Sequence, residues 1–197
     1  MAETLPHFEG AWTGPEMAKT PETWILELTD AEIADLDRAI TALDGMDILT
    51  ITKGDVPLPQ LAPHLAAIRE EILHGQGFML IRGFPIERYS LAQAARAFWA
   101  IGTHFGAPAS QNAKGHVLGH VRDLGFDYNV PTARGYQTNV RLPFHCDSSD
   151  IVGLLSVKTS RTGGLSSLVS SVALYNTMAE RRPDLARVLL QPTYRDR

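Results

Sequence analysis

The sequence predicts an α+β chain on three observations. Apolar residues recur at three- and four-residue spacing in three stretches before residue 105, the period of a helix with one buried face. From about residue 78 short apolar runs bounded by glycine or proline appear, which is the pattern of strands. The chain has 197 residues, 44% of them hydrophobic, enough to bury a sizeable core in one domain.

Residues 1–24 carry Pro6, Pro15 and Pro21 with little periodicity, and read as an irregular leader anchored by Trp12 and Trp24. Ile33, Leu36, Ile40 and Leu43 then mark an amphipathic helix, with Thr29 or Asp30 to cap it and Gly45 to end it. Pro57 and Pro59 delimit a second helix striped by Leu61, Leu65, Ile68, Ile72 and Leu73 and broken at Gly75 and Gly77. His64 and His74 on it read as ordinary surface or edge residues. Phe78–Ile81 has the length of a buried strand. Ser90 caps a third helix whose Leu91, Ala94, Phe98 and Ile101 should face inward, with His104 as a C-terminal cap.

Beyond it, Ser110–Gly115 is polar and irregular. His116 and His120 are four apart, but Gly115 and Gly119 favour extended chain, and no glutamate follows the first histidine as in a zinc-protease helix. Residues 127–134 read as a mobile surface loop of the kind that can cover a site. Leu165–Val169 reads as a short strand after a Gly163-Gly164 turn, and Leu174–Met178 and Leu185–Leu190 as helices, with Asp184 as a cap.

The net charge is −4 with scattered basic residues, which leaves no footprint for nucleic acid or an anionic membrane. The single cysteine, Cys146, cannot form an intrachain disulfide. With no apolar stretch of membrane-span length and no signal-like start, a soluble cytoplasmic protein is expected.

The stretch that concentrates chemistry is Leu142-Pro143-Phe144-His145-Cys146-Asp147. On extended chain, residues two apart share a face, so imidazole and carboxylate would lie together, with Cys146 packing on the other side. That pair supplies two of the three protein ligands of a 2-His-1-carboxylate iron site. The same tripeptide also occurs as an ordinary surface pair. By strand parity Asn139 and Arg141 share the His145 face, where Arg141 could meet an anionic substrate group or simply face solvent.

The order of several motifs resembles the TauD/TfdA family of Fe(II)- and 2-oxoglutarate-dependent dioxygenases. Gly77-Phe78-Met79-Leu80-Ile81-Arg82-Gly83-Phe84, His104-Phe105-Gly106-Ala107-Pro108, the His145-x-Asp147 stretch, the apolar run from Ile151 and the Gly163-Gly164 turn follow one another as in that family. The resemblance runs from about residue 57 to the end, which divides the chain into a leader and helix over 1–56 and an N-terminal portion of a dioxygenase domain over 57–197. It implies a double-stranded β-helix, or jelly roll, with N-terminal flanking helices. It also implies Fe(II) held by His145 and Asp147, and 2-oxoglutarate contacted by the Ser166 hydroxyl. The substrate would be a small organic molecule, hydroxylated as 2-oxoglutarate is decarboxylated, with Gln111 and Asn112 among the residues lining its cavity.

This chain departs from the family in one respect. The family's distal histidine, and the arginine that pairs with 2-oxoglutarate, follow the Gly-Gly turn, whereas no histidine follows His145 here. A jelly roll needs about eight strands, and candidates occur only around Phe78, Val117, Asn139, Leu154 and Leu168. The expected sheet is therefore incomplete at its C-terminal side. Two readings follow: an oxygenase, or its N-terminal part, and a non-catalytic relic or binding module of the same fold.

Overall fold

A computed structural model describes residues 5–110, 115–130 and 135–194. In order the elements are α1 (Gly14–Met17), β1 (Ile25–Glu27), α2 (Asp30–Ala42), α3 (Ala62–His74), β2 (Leu80–Arg82), α4 (Leu91–Thr103), α5 (Ser171–Arg181) and α6 (Pro183–Leu189), with short 3-10 turns between them.

The helices begin where side chains satisfy their orphan N–H groups. Thr29 accepts from the Glu32 amide while Glu32 returns a bond to the Thr29 N–H, a reciprocal box that starts α2. Ser90 and Gln93 do the same for α4. Leu61 precedes α3 and has no polar side chain to offer, so Asp35 of α2 reaches across and accepts from the Gln60 and Leu61 amides at 2.6 and 3.0 Å. One residue thus caps α3 and ties it to α2. Arg38 pairs with the other Asp35 oxygen.

The core gathers Leu28, Leu36, Leu43, Val56, Leu61, Leu65 and Trp99, drawn from α2, α3, α4 and the segments between them. Trp99 is buried and its indole N–H donates to the Ile51 carbonyl. The α4 face that turns inward is Ala94, Ala97, Trp99, Ala100 and Ile101. Leu91, expected inside, is exposed because it occupies the first helical turn, beyond the edge of the core. Gly45 and Gly77 both adopt positive φ just past α2 and α3, as their roles as helix breakers require.

The expected double-stranded β-helix is not found. Among the described residues the sheet is two parallel strands, β1 beside β2, with Ile25 opposite Leu80 and Glu27 opposite Arg82. The rest of the ordered structure is mostly helical. The physical reason is pairing: a strand exists only where a neighbour accepts its backbone bonds. The stretches around Val117, Asn139, Leu154 and Leu168 are irregular chain in no ladder, and Leu154 and Leu168 are exposed. Of the five candidates, only the one at Phe78 is realised, shifted to Leu80–Arg82.

The leader is more ordered than its proline content suggests. Trp12 and Trp24 pack on Phe78 at ring separations of 4.9 and 5.7 Å, and their indole N–H groups donate to the Gln76 and Met17 carbonyls. Phe8 exchanges two bonds with the buried Asn176 side chain of α5.

Candidate functional site

The His145 stretch is positioned by contacts on either side of it. Upstream, a 3-10 turn spans Gly135–Gln137, closed by the Thr138 amide and hydroxyl on the Gly135 carbonyl. The Tyr136 and Gln137 carbonyls accept from the Arg122 and Leu124 amides at 3.1 and 2.8 Å, which ties this turn to residues 122–124. Leu142 folds back over Gly135 so closely that a Cβ there would lie 2.4 Å from a Leu142 methyl. Downstream, Gly153 passes against the Phe98 ring of α4, where a Cβ would lie 3.2 Å away.

Between these anchors His145 Nδ1 lies 2.8 Å from the Pro143 carbonyl oxygen. A carbonyl can only accept, so Nδ1 carries the proton in that bond, and in the neutral ring Nε2 keeps its lone pair. Metal-binding histidines are commonly oriented through this kind of bond to the second nitrogen. Nε2 faces Asp147 Oδ1 at 3.9 Å, and both side chains are about half exposed. Two acceptors facing each other call for a proton or a cation between them. With metal–nitrogen and metal–oxygen bonds of about 2.0–2.2 Å, two adjacent ligands of one ion lie about 3 Å apart. The donor types therefore suit a divalent ion, and the two side chains would have to close from 3.9 Å to bind it side by side. Among the described residues no group of three His, Cys, Asp or Glu side chains is arranged to hold a metal.

Asn139, Arg141 and Ser166 are exposed, and among the described residues no hydrogen bond or ion pair links them to His145 or Asp147. Gln111 and Asn112 lie outside the described residues. Cys146, expected to pack, is exposed because no layer covers this stretch. The turn before Ser166 is built by Gly163 and Gly164, both at φ +73°, with the Ser160 hydroxyl donating to the Gly163 carbonyl at 2.9 Å. Two consecutive left-handed residues explain the glycine pair.

The remaining histidines have other surroundings. His104 is buried at the end of α4 with Nε2 2.8 Å from the Val56 carbonyl, and His64 Nδ1 lies 2.6 Å from Glu32. Sequence reasoning did not include the Pro143 carbonyl, since a backbone acceptor leaves no signal in residue type.

Residues 37–197 match the family described as taurine catabolism dioxygenase TauD, TfdA family. The chain belongs to that family. It is 31% identical over 165 residues to the FR-33289 synthase of Streptomyces rubellomurinus, covering 82% of this chain and 49% of that protein. It is 29% identical over 194 residues to the taurine hydroxylase-like protein SAT17 of Stachybotrys chartarum, covering 92% of this chain and again 49% of the relative. The chain thus spans about half the length of the curated relatives it matches. No helix among the described residues is long and apolar enough to cross a membrane.

Proposed function

We propose that this chain carries the first two metal ligands of an Fe(II)- and 2-oxoglutarate-dependent dioxygenase that hydroxylates a small organic substrate. The observation that carries the reading is the His145–Asp147 pair: a ring oriented by the Nδ1 bond to Pro143, with a carboxylate oxygen 3.9 Å from its Nε2. Family membership supplies the choice of metal and co-substrate. When bound, iron would supply activation of dioxygen, with 2-oxoglutarate giving up two electrons as it is oxidised to succinate and carbon dioxide, so that one oxygen atom ends in succinate and the other in the hydroxylated C–H bond.

The chain's own residues hold and orient. His145 and Asp147 donate to the metal from one side, leaving other positions open. The Ser166 hydroxyl is assigned to a carboxylate of 2-oxoglutarate, and the Arg141 guanidinium, with Asn139, to an anionic or polar group of the substrate. Gln111 and Asn112 are assigned to the substrate cavity on the resemblance alone.

A second reading, a non-catalytic binding module, is favoured by the exposure of the pair and by the absence of a third donor beside it among the described residues. The first reading requires His145 to bind metal and the second does not, so metal binding and turnover separate them. Titration with Fe(II) or Co(II) under argon should show weak one-site binding that falls at least tenfold in H145A and in D147A. Affinity unchanged in both variants removes the site. Succinate formation with Fe(II), ascorbate and 2-oxoglutarate should be slight for this chain alone, since two ligands hold a facial geometry poorly. Robust turnover abolished by H145A would show that a third ligand lies within these 197 residues.

A further inference from the structure

We propose that a cleft between the leader and the C-terminal helix pair is a separate ligand site, and that it takes a soluble amphipathic carboxylate of the fatty-acid type. The cleft has a volume of about 510 Å³ and is bounded by Trp12, Thr13 and Gly14 on one side and by α5, α6 and residues 168–170 on the other. That volume lies within the roughly 300–1,000 Å³ of small-molecule sites.

Its walls are apolar. Leu168 and Leu174 line it at 63% and 55% exposure, so apolar surface in a concave site stays wet until something covers it. The only charged lining residues are Arg181 and Arg182. Asp184 holds the Arg182 guanidinium through two bonds of 2.9 and 2.6 Å. Arg181 has no ion pair among the described residues, so its planar fork is available to a carboxylate. An apolar lining that includes one cation unpaired among the described residues favours a molecule with an apolar body and an anionic head.

The leader side of the cleft is also held before a ligand arrives. The leader is strapped to α5 by the two bonds between Phe8 and Asn176 and by the edge contact of the Phe8 and Tyr175 rings at 4.9 Å. Trp12 is held from behind by Gln76 and Phe78. None of the lining residues belongs to the 135–166 stretch that carries His145, so the cleft is not part of the metal-ligand pair.

The experiment is calorimetric titration of the full chain with decanoate below its aggregation concentration, with decanol as the uncharged control. Saturable one-to-one binding is expected for decanoate, at least tenfold tighter than for decanol. R181Q should weaken decanoate about tenfold and leave decanol unchanged. Thr177 is exposed on the cleft rim, so T177W should fill the opening without disturbing the helix, and should abolish binding with an unchanged far-ultraviolet spectrum. Equal affinity for decanol and decanoate, binding indifferent to both variants, or binding seen only with phospholipid vesicles would overturn the proposal. So would a dimer in which a second copy fills the cleft.

Discussion

Replacing Asp35 by alanine removes the cap of one helix from another, and its cost can be built up from the contacts. The Asp35 side chain is completely buried, with one oxygen accepting from the Gln60 and Leu61 amides and the other paired with Arg38. D35A leaves one buried N–H, at Leu61, and one part-buried N–H, at Gln60, without an acceptor at the start of α3. A hydrogen bond to a charged group contributes about 1.5–3 kcal/mol, and loss of a helix cap alone costs about 0.5–2 kcal/mol. Arg38 is mostly exposed, so its pairing adds little. No buried charge is left behind, since Arg38 is mostly exposed, and non-additivity keeps the total at about 2–4 kcal/mol. Against a typical domain stability of about 5–15 kcal/mol, that is a large share. D35N keeps one carbonyl acceptor for the two amides and should lose about half as much. Urea unfolding followed by circular dichroism gives both values. A loss below about 1 kcal/mol for D35A would refute the reasoning, because it would mean that water satisfies the α3 amides at no cost.

Three further outcomes are expected. Burial alone would raise the Glu32 carboxyl, but bonds from the Thr29 backbone, the His64 ring and the Thr29 hydroxyl outweigh it and hold the group below the ordinary glutamate value. Its stabilising effect is therefore present above the unfolded glutamate pKa of about 4.3 and lost as pH falls through the lower folded value. E32Q should flatten that part of an acid-unfolding curve, and an unchanged curve would remove Glu32 from the linkage. The Tyr89 hydroxyl, raised in pKa by burial and by its 2.7 Å bond to Asp37, should resist ionisation, so ultraviolet titration of wild type should show one late phenol that Y89F lacks. Leu154 and Leu165 are 78% and 94% exposed within a long irregular stretch, so the chain should self-associate with rising concentration. The double variant L154K/L165K should sediment as a monomer where wild type does not, and identical sedimentation would exclude this surface.

What could be read from the sequence was what short-range chemistry decides. The Thr29 and Ser90 caps, the glycine breakers and the apolar faces of α2 and α3 all depend on neighbours within one or two turns, and the structure has them where the spacing put them. The α5–α6 pair was also legible, although Arg182, rather than Asp184, stands at the start of α6, and Asp184 instead binds the Arg182 side chain. Partners far along the chain were not legible. Nothing local in Ile25–Glu27 announces a strand that pairs with Leu80–Arg82, and the Phe8–Asn176 clamp spans 168 positions. The jelly roll came from the family resemblance and required ladders that the described backbone does not form. The His-x-Asp spacing identified the pair, but the tautomer that gives it a chemical direction depends on a backbone oxygen.

The pair is unequal in its preparation. His145 has one ring nitrogen committed to Pro143, so its orientation is partly fixed before any ligand arrives. Among the described residues Asp147 has no hydrogen bond, and its 3.9 Å approach to His145 is its one polar contact. On the proposed reading, the cost of ordering the pair around a metal would fall mainly on the carboxylate and on the irregular chain that carries it. Backbone ordering costs about 1–2 kcal/mol per residue fixed, comparable with what a single added contact returns. The anchors at Leu142 on Gly135 and Gly153 on Phe98 lie three residues before His145 and six after Asp147, which limits the span left to order. A cover over Phe144, which is 63% exposed, would lower that cost further by ordering the stretch and excluding water from the pair. If the pair holds a metal as proposed, its affinity would be governed as much by what packs on the stretch as by the two side chains themselves.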